Sequence, residues 1–241
     1  MDIELFYTEL GSKNPGSPII FLHGNGGNSS SFFYLFTHYA ETRRVIAIDT
    51  RGHGRSPRGK GEFTLNRFKD DLKEFMTDKN IAKADLIGYS DGGNIALLFA
   101  LNYPEMVSSL VLAGANLFPE GLESRDMRWI KSTWKSSKKA LRRNPQNEKA
   151  RKSYELMSLM VKEPHISPGS LSVIKCPALV IVGDRDAIRP AHSQLIADSL
   201  ADGKLVTIHG GHDVVKSNSA DFIKATDDFY RYAESKTANQ A

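Results

Sequence analysis

The chain has 241 residues, of which 40% are apolar, so it is long enough and apolar enough to bury the core of a single domain. The modest net charge of +4, with no aromatic residues interleaved along a basic stripe, argues against nucleic-acid binding. No apolar run approaches the ~20 residues that a membrane-spanning helix needs, and the only cysteine, Cys176, excludes an internal disulfide and a cysteine metal cluster.

Seven short apolar runs, each bounded by Gly, Pro or Asp, predict β-strands. They are Ile3–Leu10, Pro18–Leu22, Arg44–Ile48, Ala84–Gly88, Ser109–Ala113, Ala178–Val182 and Lys204–Ile208. The first alternates between apolar and polar residues, whereas the others are nearly continuous. Continuous runs of this length are typical of parallel strands that are covered on both faces.

The stretches between these runs have helical periodicity. Apolar residues form one stripe within 65–76 and another within 222–230. The segment after Ser90 continues to Pro104, where a helix is expected to end. Strands that alternate with helices predict an α/β fold with a mainly parallel sheet of about seven strands.

The pattern changes between about residues 117 and 168, which are charged and carry no strand signal. We expect this insertion to form a small helical cap, with residues 1–116 and 169–241 making the core domain. The alternative is a set of ordinary helices packed on the sheet. Two tryptophans, Trp129 and Trp134, favour a cap with an apolar underside, and Trp134 is a candidate for substrate binding. The basic stretch 131–143 is interpreted as a solvated helix face.

A candidate nucleophile lies in the G-Y-S-D-G segment at 88–92, which matches G-x-S-x-G. The motif alone is weak evidence, but it follows a buried strand and begins a helix, as a nucleophile elbow does. The serine of such a turn has a strained backbone, and side chains two residues away on either side would clash. Gly88 and Gly92 therefore support Ser90 as the nucleophile.

A serine hydroxyl needs a base, and the base needs an orienting carboxylate, both expected after later strands. Two acids, Asp184 and Asp186, follow the sixth strand, and two histidines, His209 and His212, follow the seventh. We prefer Asp186 because it lies further into its loop. We prefer His212 because it follows two glycines that can fold the loop back over Ser90. The other residue of each pair stays an alternative.

The segment H-G-N-G-G at 23–27 also follows an apolar strand, where a second oxyanion donor is expected. The two donors would be the backbone N–H groups of Asn25 and Asp91. A phosphate cradle is the rival interpretation, but the dinucleotide fingerprint and the P-loop lysine are both missing. Asp49 and His53 lack a third ligand at a recognisable spacing, so we predict no metal, and no cofactor is implied.

Five motifs, in this order, cover nearly the whole chain. They are His23-Gly24, Asp49-x-Arg51-Gly52-x-Gly54-x-Ser56, Gly88-x-Ser90-x-Gly92, Gly183-x-x-Asp186 and Gly211-His212. Together they resemble the α/β-hydrolase superfamily. The resemblance implies Ser90, Asp186 and His212 as a catalytic triad and the amides of Asn25 and Asp91 as the oxyanion hole.

Within that superfamily, G-Y-S-D-G-G at 88–93, with G-A-N at 114–116, is similar to the valacyclovir hydrolase (biphenyl hydrolase-like) branch. The general shape also resembles the 3-oxoadipate enol-lactonases. Two features depart from the pattern: the chain begins one strand late, which predicts seven strands in place of eight, and the cap is short. This likeness implies that Asp91, next to the nucleophile, could bind a substrate ammonium group. A role in the first turn of a helix is the alternative for Asp91.

The sequence therefore predicts a serine hydrolase that cleaves an ester, lactone or amide of a small molecule. The alternatives are another reaction on the same triad (carbon–carbon bond hydrolysis, acyl transfer or perhydrolysis) and a weakly catalytic small-molecule receptor. The single cysteine and the absence of a visible secretory signal lead us to expect a cytoplasmic protein. The sequence does not indicate an oligomeric state.

Overall fold

Seven strands form one sheet in the computed structural model, which describes residues 2–238 and the side chains up to residue 236. The strands are β1 (Tyr7–Leu10), β2 (Ile19–Leu22), β3 (Val45–Ile48), β4 (Ala84–Tyr89), β5 (Val107–Ala113), β6 (Ala178–Gly183) and β7 (Gly203–Ile208). Their order is β1-β3-β2-β4-β5-β6-β7, with β1 antiparallel to β3 and every other pair parallel. The predicted mainly parallel sheet of seven strands is confirmed.

The first strand is shorter than the sequence predicts. Phe6 donates its backbone N–H to Ser56 Oγ at 2.8 Å and accepts the N–H of Asp49 at 2.9 Å. The chain before Tyr7 therefore bonds to the loop after β3, and ladder pairing with β3 begins only at Tyr7.

Eight α-helices complete the described part of the fold. They are α1 (Phe33–Ala40), α2 (Leu65–Asp78), α3 (Asp91–Asn102), α4 (Ser124–Arg143), α5 (Glu148–Lys162), α6 (Pro190–Ser199), α7 (Val214–Ser217) and α8 (Ser219–Ala238). The predicted stripes within 65–76 and 222–230 lie in α2 and α8. Helix α2 begins after Thr64, whose side chain accepts the N–H of Arg67.

The core has two layers, one on each face of the sheet. Ile20 and Leu22 of β2 pack in the layer that contains α2 and α3, whereas Ile19 and Phe21 pack in the layer that contains α1 and α8. Successive side chains of a strand point to opposite faces, and here both faces are covered. This is why the parallel strands are apolar at consecutive positions.

Helices α4 and α5 lie between β5 and β6 in the chain and pack against each other. Trp134 donates its indole N–H to Ser158 Oγ at 2.9 Å, and its ring stacks on Tyr154. Three side-chain links then join α5 and its end to the rest of the molecule. They are Arg58 with Glu155, the Asn25 side chain with the Leu156 carbonyl, and Glu163 with the N–H of Leu65. The division into core and cap remains a prediction.

Candidate active site

A strained turn carries Ser90 from β4 into α3. Ser90 has φ 54° and ψ −121°, and φ is positive at only one other non-glycine residue of the described chain, Asn80. A Cβ at Gly88 would lie 2.3 Å from the carbonyl oxygen of Gly92, and a Cβ at Gly92 would lie 1.9 Å from that of Leu22. The two glycines are therefore required by close backbone approach, and the turn presents the Ser90 hydroxyl at the carboxyl edge of the sheet.

The structure brings the three preferred side chains into one hydrogen-bonded chain. Ser90 Oγ lies 3.0 Å from Nε2 of His212, and Nδ1 of the same ring lies 2.7 Å from Asp186 Oδ1. The Asp186 side chain is 1% exposed, compared with 30% for His212. Two backbone amides also donate to Asp186, those of Gly183 at 3.2 Å and Ile188 at 2.9 Å, and they fix its orientation.

A glycine in the left-handed region makes room for the imidazole. Gly114 follows β5 with φ 57°, and a Cβ there would lie 2.8 Å from Cε1 of His212. The ring can approach Ser90 only because this position has no side chain. The sequence motif at 114–116 contained this glycine, but the sequence did not indicate that it faces the histidine.

The two alternative residues pair with each other and do not contact Ser90. His209 Nδ1 lies 2.9 Å from Asp184 Oδ2, and Asp184 Oδ1 accepts the N–H of Gly210 at 2.9 Å. These side chains are 73% and 43% exposed. The Gly210 amide and the His209 ring, in that order, hold the pKa of Asp184 below its ordinary value. This second Asp–His pair joins the same two loops at the surface.

The loop after β2 lies directly against the serine. A Cβ at Gly24 would be 3.0 Å from Ser90 Cβ, so the backbone that leads to Asn25 passes close to the hydroxyl. Within residues 2–238, the backbone N–H groups of Asn25 and Asp91 donate to no protein acceptor. Two unsatisfied donors beside a serine hydroxyl are what an oxyanion formed at that hydroxyl would need.

The Asp91 carboxylate is buried and bonded to neighbouring amides. Asn25 Nδ2 donates to Asp91 Oδ2 at 2.9 Å, and Asn94 Nδ2 lies 3.3 Å from Asp91 Oδ1. Burial is the main cause that raises the pKa of Asp91 to about 6, with a smaller contribution from the charge of Glu163. The side-chain amides oppose this rise. The contacts match the helix-start alternative for Asp91 and leave the ammonium prediction open.

Two further histidines lie near the site but do not contact Ser90. Nε2 of His23 accepts the N–H of Thr50 at 3.0 Å, and the Thr50 hydroxyl lies 3.2 Å from His53 Nδ1. Burial lowers the pKa of both rings, for His53 to about 4. They therefore act as neutral connectors between the loops after β2 and β3. Among residues 2–238, no group of three or more potential ligand side chains could hold a metal ion.

A cavity of about 300 Å³ opens beside Ser90, under α4 and the end of α5. Its lining consists of Ser90, Asp91, Asn116, Leu122, Asp126, Trp129, Ile130, Met160, Glu163, Ala187, Ile188 and His212. Trp134 does not line it, because this side chain faces α5 and packs on Tyr154. The tryptophan at the cavity is Trp129. The sequence-based choice of Trp134 therefore selected a residue of the helix–helix contact.

Three carboxylates lie among these lining residues: Asp91, Asp126 and Glu163. Burial raises the pKa of Glu163, although the N–H of Leu65 donates to its carboxylate. One oxygen of Asp126 is buried without a hydrogen-bond partner in the described part of the chain. No Lys or Arg of the described residues lines the cavity, so its acidic lining groups have no basic side chain among them. The sequence did not reveal this, because the three acids are far apart in the chain.

Comparison with known proteins agrees with the fold. The family model for the alpha/beta hydrolase fold matches residues 17–140, and the chain belongs to this family. In sequence, a diacylglycerol lipase of Danio rerio described as sn-1-specific (ABHD11) is 34% identical to this chain over 112 residues. These residues are 46% of this chain and 35% of that protein. The chain spans only about a third of the length of the curated relatives it matches.

Two solved structures share the fold over almost the whole chain. An enol-lactonase from Burkholderia xenovorans LB400 superposes with a TM-score of 0.77 at 22% identity, covering 95% of this chain and 97% of that one. A meta-cleavage product hydrolase from Pseudomonas fluorescens IP01 gives a TM-score of 0.74 at 22% identity, covering 96% and 95%. At this level of identity the likeness concerns the fold alone. Within residues 2–238, no helix has the length and apolarity to cross a bilayer.

Proposed function

We propose that this protein is a serine hydrolase that cleaves an ester, lactone or amide of a small molecule through an acyl-enzyme on Ser90. The observation that carries the proposal is the chain of hydrogen bonds at 3.0 Å and 2.7 Å from Ser90 through His212 to the buried Asp186. The family relationship supports it, as do the names of two similar proteins, a diacylglycerol lipase and an enol-lactonase.

In the first half-reaction, the Ser90 Oγ–H donates its proton to His212 Nε2 while the oxygen attacks the substrate carbonyl carbon. The carbonyl π-electrons move to oxygen, and the amides of Asn25 and Asp91 bind the resulting oxyanion. When the tetrahedral intermediate collapses, the C–O or C–N bond breaks. The imidazolium proton passes to the leaving group, and the acyl group stays on Ser90.

In the second half-reaction, His212 removes a proton from water, and the hydroxide attacks the acyl-enzyme. Collapse breaks the bond to Ser90 Oγ, which recovers its proton from the imidazolium, and the carboxylic acid leaves. Throughout, Asp186 accepts the Nδ1–H of His212 and stabilises its positive charge. The sum of the two steps is hydrolysis, with no cofactor consumed.

The direct test is Ser90→Ala, assayed with a short p-nitrophenyl ester. We expect a loss of kcat on the order of 10⁴-fold or more with an unchanged melting temperature, because a triad acts as a unit. A fluorophosphonate probe should label Ser90 and no other serine in the wild type. Activity of the variant within tenfold of wild type contradicts the proposal.

We further propose that residues 117–168 form a cap over the site and that the cavity beneath it selects the substrate. A volume of about 300 Å³ suits a small molecule. The three carboxylates and the absence of Lys and Arg from the lining favour neutral or cationic substrates over anionic ones. Replacing Trp129, at the cavity, should reorder the preference among esters. Replacing Trp134, at the α4–α5 contact, should mainly lower stability.

The role of Asp91 is tested with an α-amino ester and its desamino analogue. If Asp91 binds the ammonium group, the wild type prefers the amine, and Asp91→Asn lowers that preference by roughly 1–3 kcal/mol. Because burial raises the pKa of Asp91 to about 6, the preference should also weaken as the pH falls through 6 and the carboxylate becomes protonated. Equal activity on both esters in the wild type assigns Asp91 to its contacts with Asn25 and Asn94 alone.

The two alternative functions predict different products. Carbon–carbon bond hydrolysis would appear as cleavage of a vinylogous diketone but not of simple esters. A receptor would bind its ligand without turnover and would react slowly with the fluorophosphonate. Product analysis on an ester, a thioester and a diketone separates all three.

A further inference from the structure

Positive charge is concentrated in the helix pair α4–α5. Residues 124–162 contain twelve Lys and Arg against three Asp and Glu, a net formal charge of +9. Because the whole chain carries +4, the remaining residues sum to −5. The net value of +4 therefore conceals a large positive charge on this helix pair.

Most of this charge lies on one side of α4. The basic face consists of Arg125, Arg128, Lys131, Lys135, Lys138, Lys139, Arg142 and Arg143. With 3.6 residues per turn, these eight positions fall within an arc of about 140°. All are exposed except Lys138, which is half-buried over the Trp134 ring. The opposite side, with Ile130 and Ser137, is buried.

Acidic residues do not neutralise the basic face. Within residues 2–238, the only ion pair made by this face joins Arg125 Nε to Asp126 Oδ1 at 3.8 Å. The side chains from Arg128 to Arg143 on this face have no ion-pair partner there. Like charges this close together repel one another. Exposure to water alone therefore does not favour such an arrangement. An anionic surface opposite the helix would relieve this repulsion.

An exposed tryptophan flanks the basic face at the end nearest the active site. Trp129 is 62% exposed, and it also lines the cavity beside Ser90. Tryptophan next to clustered Lys and Arg is typical of segments that lie in a membrane interface, where the indole ring inserts among the headgroups. The other tryptophan of α4, Trp134, faces α5, so no row of aromatic residues is available to stack on nucleic-acid bases.

We propose that the basic face of α4 binds the surface of an anionic phospholipid bilayer, with Trp129 entering the headgroup layer. In this orientation Trp129, which also lines the cavity beside Ser90, lies at the bilayer surface. The binding itself does not depend on the hydrolase chemistry. It can therefore be measured on Ser90→Ala, and its failure would leave the proposed reaction intact.

The test is co-sedimentation with vesicles of phosphatidylcholine alone and of phosphatidylcholine with about one third phosphatidylserine. The wild type and Ser90→Ala should bind the anionic vesicles at about 0.15 M ionic strength and release them near 1 M, where charges are screened within ~3 Å. The variant K131Q/K135Q/K139Q should bind on the order of 100-fold more weakly, since each basic residue contributes about fivefold. Glutamine and lysine have similar helix propensities, so α4 should remain folded.

Two matched variants separate local charge from net charge and from folding. K83Q/K216Q/K224Q removes three exposed lysines elsewhere and should bind like the wild type. K131R/K135R/K139R keeps the charge and should also bind like the wild type. In a Trp134→Phe background, the fluorescence of Trp129 should shift to shorter wavelength when anionic vesicles are added.

Four results would overturn the proposal. They are equal binding to neutral and anionic vesicles, equal weakening by the two glutamine variants, an unshifted Trp129 emission, and tighter binding to a single-stranded oligonucleotide than to anionic vesicles. The last result would assign the basic face to nucleic acid.

Discussion

Two Asp–His pairs join the same two loops, and only one of them reaches the serine. Asp186 and His212 lie inside the molecule, with the carboxylate 1% exposed and held by two backbone amides. Asp184 and His209 lie outside, with side chains 43% and 73% exposed. The residue types, the contact distances and the supporting strands are alike. The two pairs differ in their burial and in the direction in which the imidazole points. Water screens the exposed pair, which therefore contributes little to stability.

The largest expected effect comes from removing the inner histidine. We expect His212→Ala to lower kcat by about 10⁵-fold or more, because the proposed mechanism needs His212 as the base for Ser90. His209→Ala is the matched control and should stay within a few fold of wild type. Steady-state kinetics on one activated ester measures both. Similar losses of activity in the two variants, with both folded by circular dichroism, would contradict the distinction between the inner and outer pairs.

The second largest effect should come from removing the charge of the inner carboxylate, Asp186. Asp186→Asn keeps the side-chain shape but no longer fixes the tautomer and charge of His212, and kcat should fall by about 10⁴-fold. Asp184→Asn, two residues earlier, should retain most of the activity. A loss in Asp184→Asn as large as that in Asp186→Asn would show that the two loops act as one unit, which the separate contacts argue against.

A smaller effect should follow from crowding the inner ring without changing a triad residue. The Cβ of Gly114→Ala would lie 2.8 Å from His212 Cε1, so the imidazole must shift by several tenths of an ångström. A misplacement of about 1 Å can cost about 10²-fold in rate, so we expect this smaller shift to lower kcat by about 10-fold, with KM changing less. Thermal unfolding measures the separate strain of alanine at φ 57°. A fully active Gly114→Ala variant would mean that the site adapts freely.

The smallest expected effect concerns the stability that the outer pair, Asp184 and His209, contributes at acidic pH. Contacts with the Gly210 amide and His209 lower the pKa of Asp184 in the folded state. A lowered folded pKa stabilises the protein above the ordinary value of 3.8, and this stability is lost as the pH falls through the folded pKa. The urea midpoints of wild type and Asp184→Asn should therefore differ slightly at pH 7 and converge on acidification. A difference that grows towards acid would contradict the sign.

Much of the fold could be predicted from local pattern. Six apolar runs became parallel strands nearly at their predicted bounds, because strands covered on both faces must be apolar at consecutive positions. The first run was predicted too long. Its alternation resembled a strand, but Ser56 and Asp49 take the hydrogen bonds of Phe6, and these partners are some fifty residues away.

The choice within each Asp–His pair was also made from the sequence, by the argument that the further acid and the residue after two glycines can reach Ser90. Helical spacing alone does not distinguish the two tryptophans. Trp129 and Trp134 are about 140° apart on α4, and periodicity does not indicate which side faces a cavity and which faces α5. Only packing decided that Trp134 stacks on Tyr154 and that Trp129 borders the site.

The sequence by itself determined the order of the motifs, the strained turn at Ser90 and the parallel sheet, because these depend on residue types close together in the chain. The tertiary structure decided the features that depend on contacts between residues distant in the sequence. In the folded chain, Gly114 lies against His212, three carboxylates distant in sequence line one cavity, and the basic face of α4 is exposed. The physical reason is that backbone preference acts over a few residues, whereas burial, charge and steric contact act through space between residues remote in sequence.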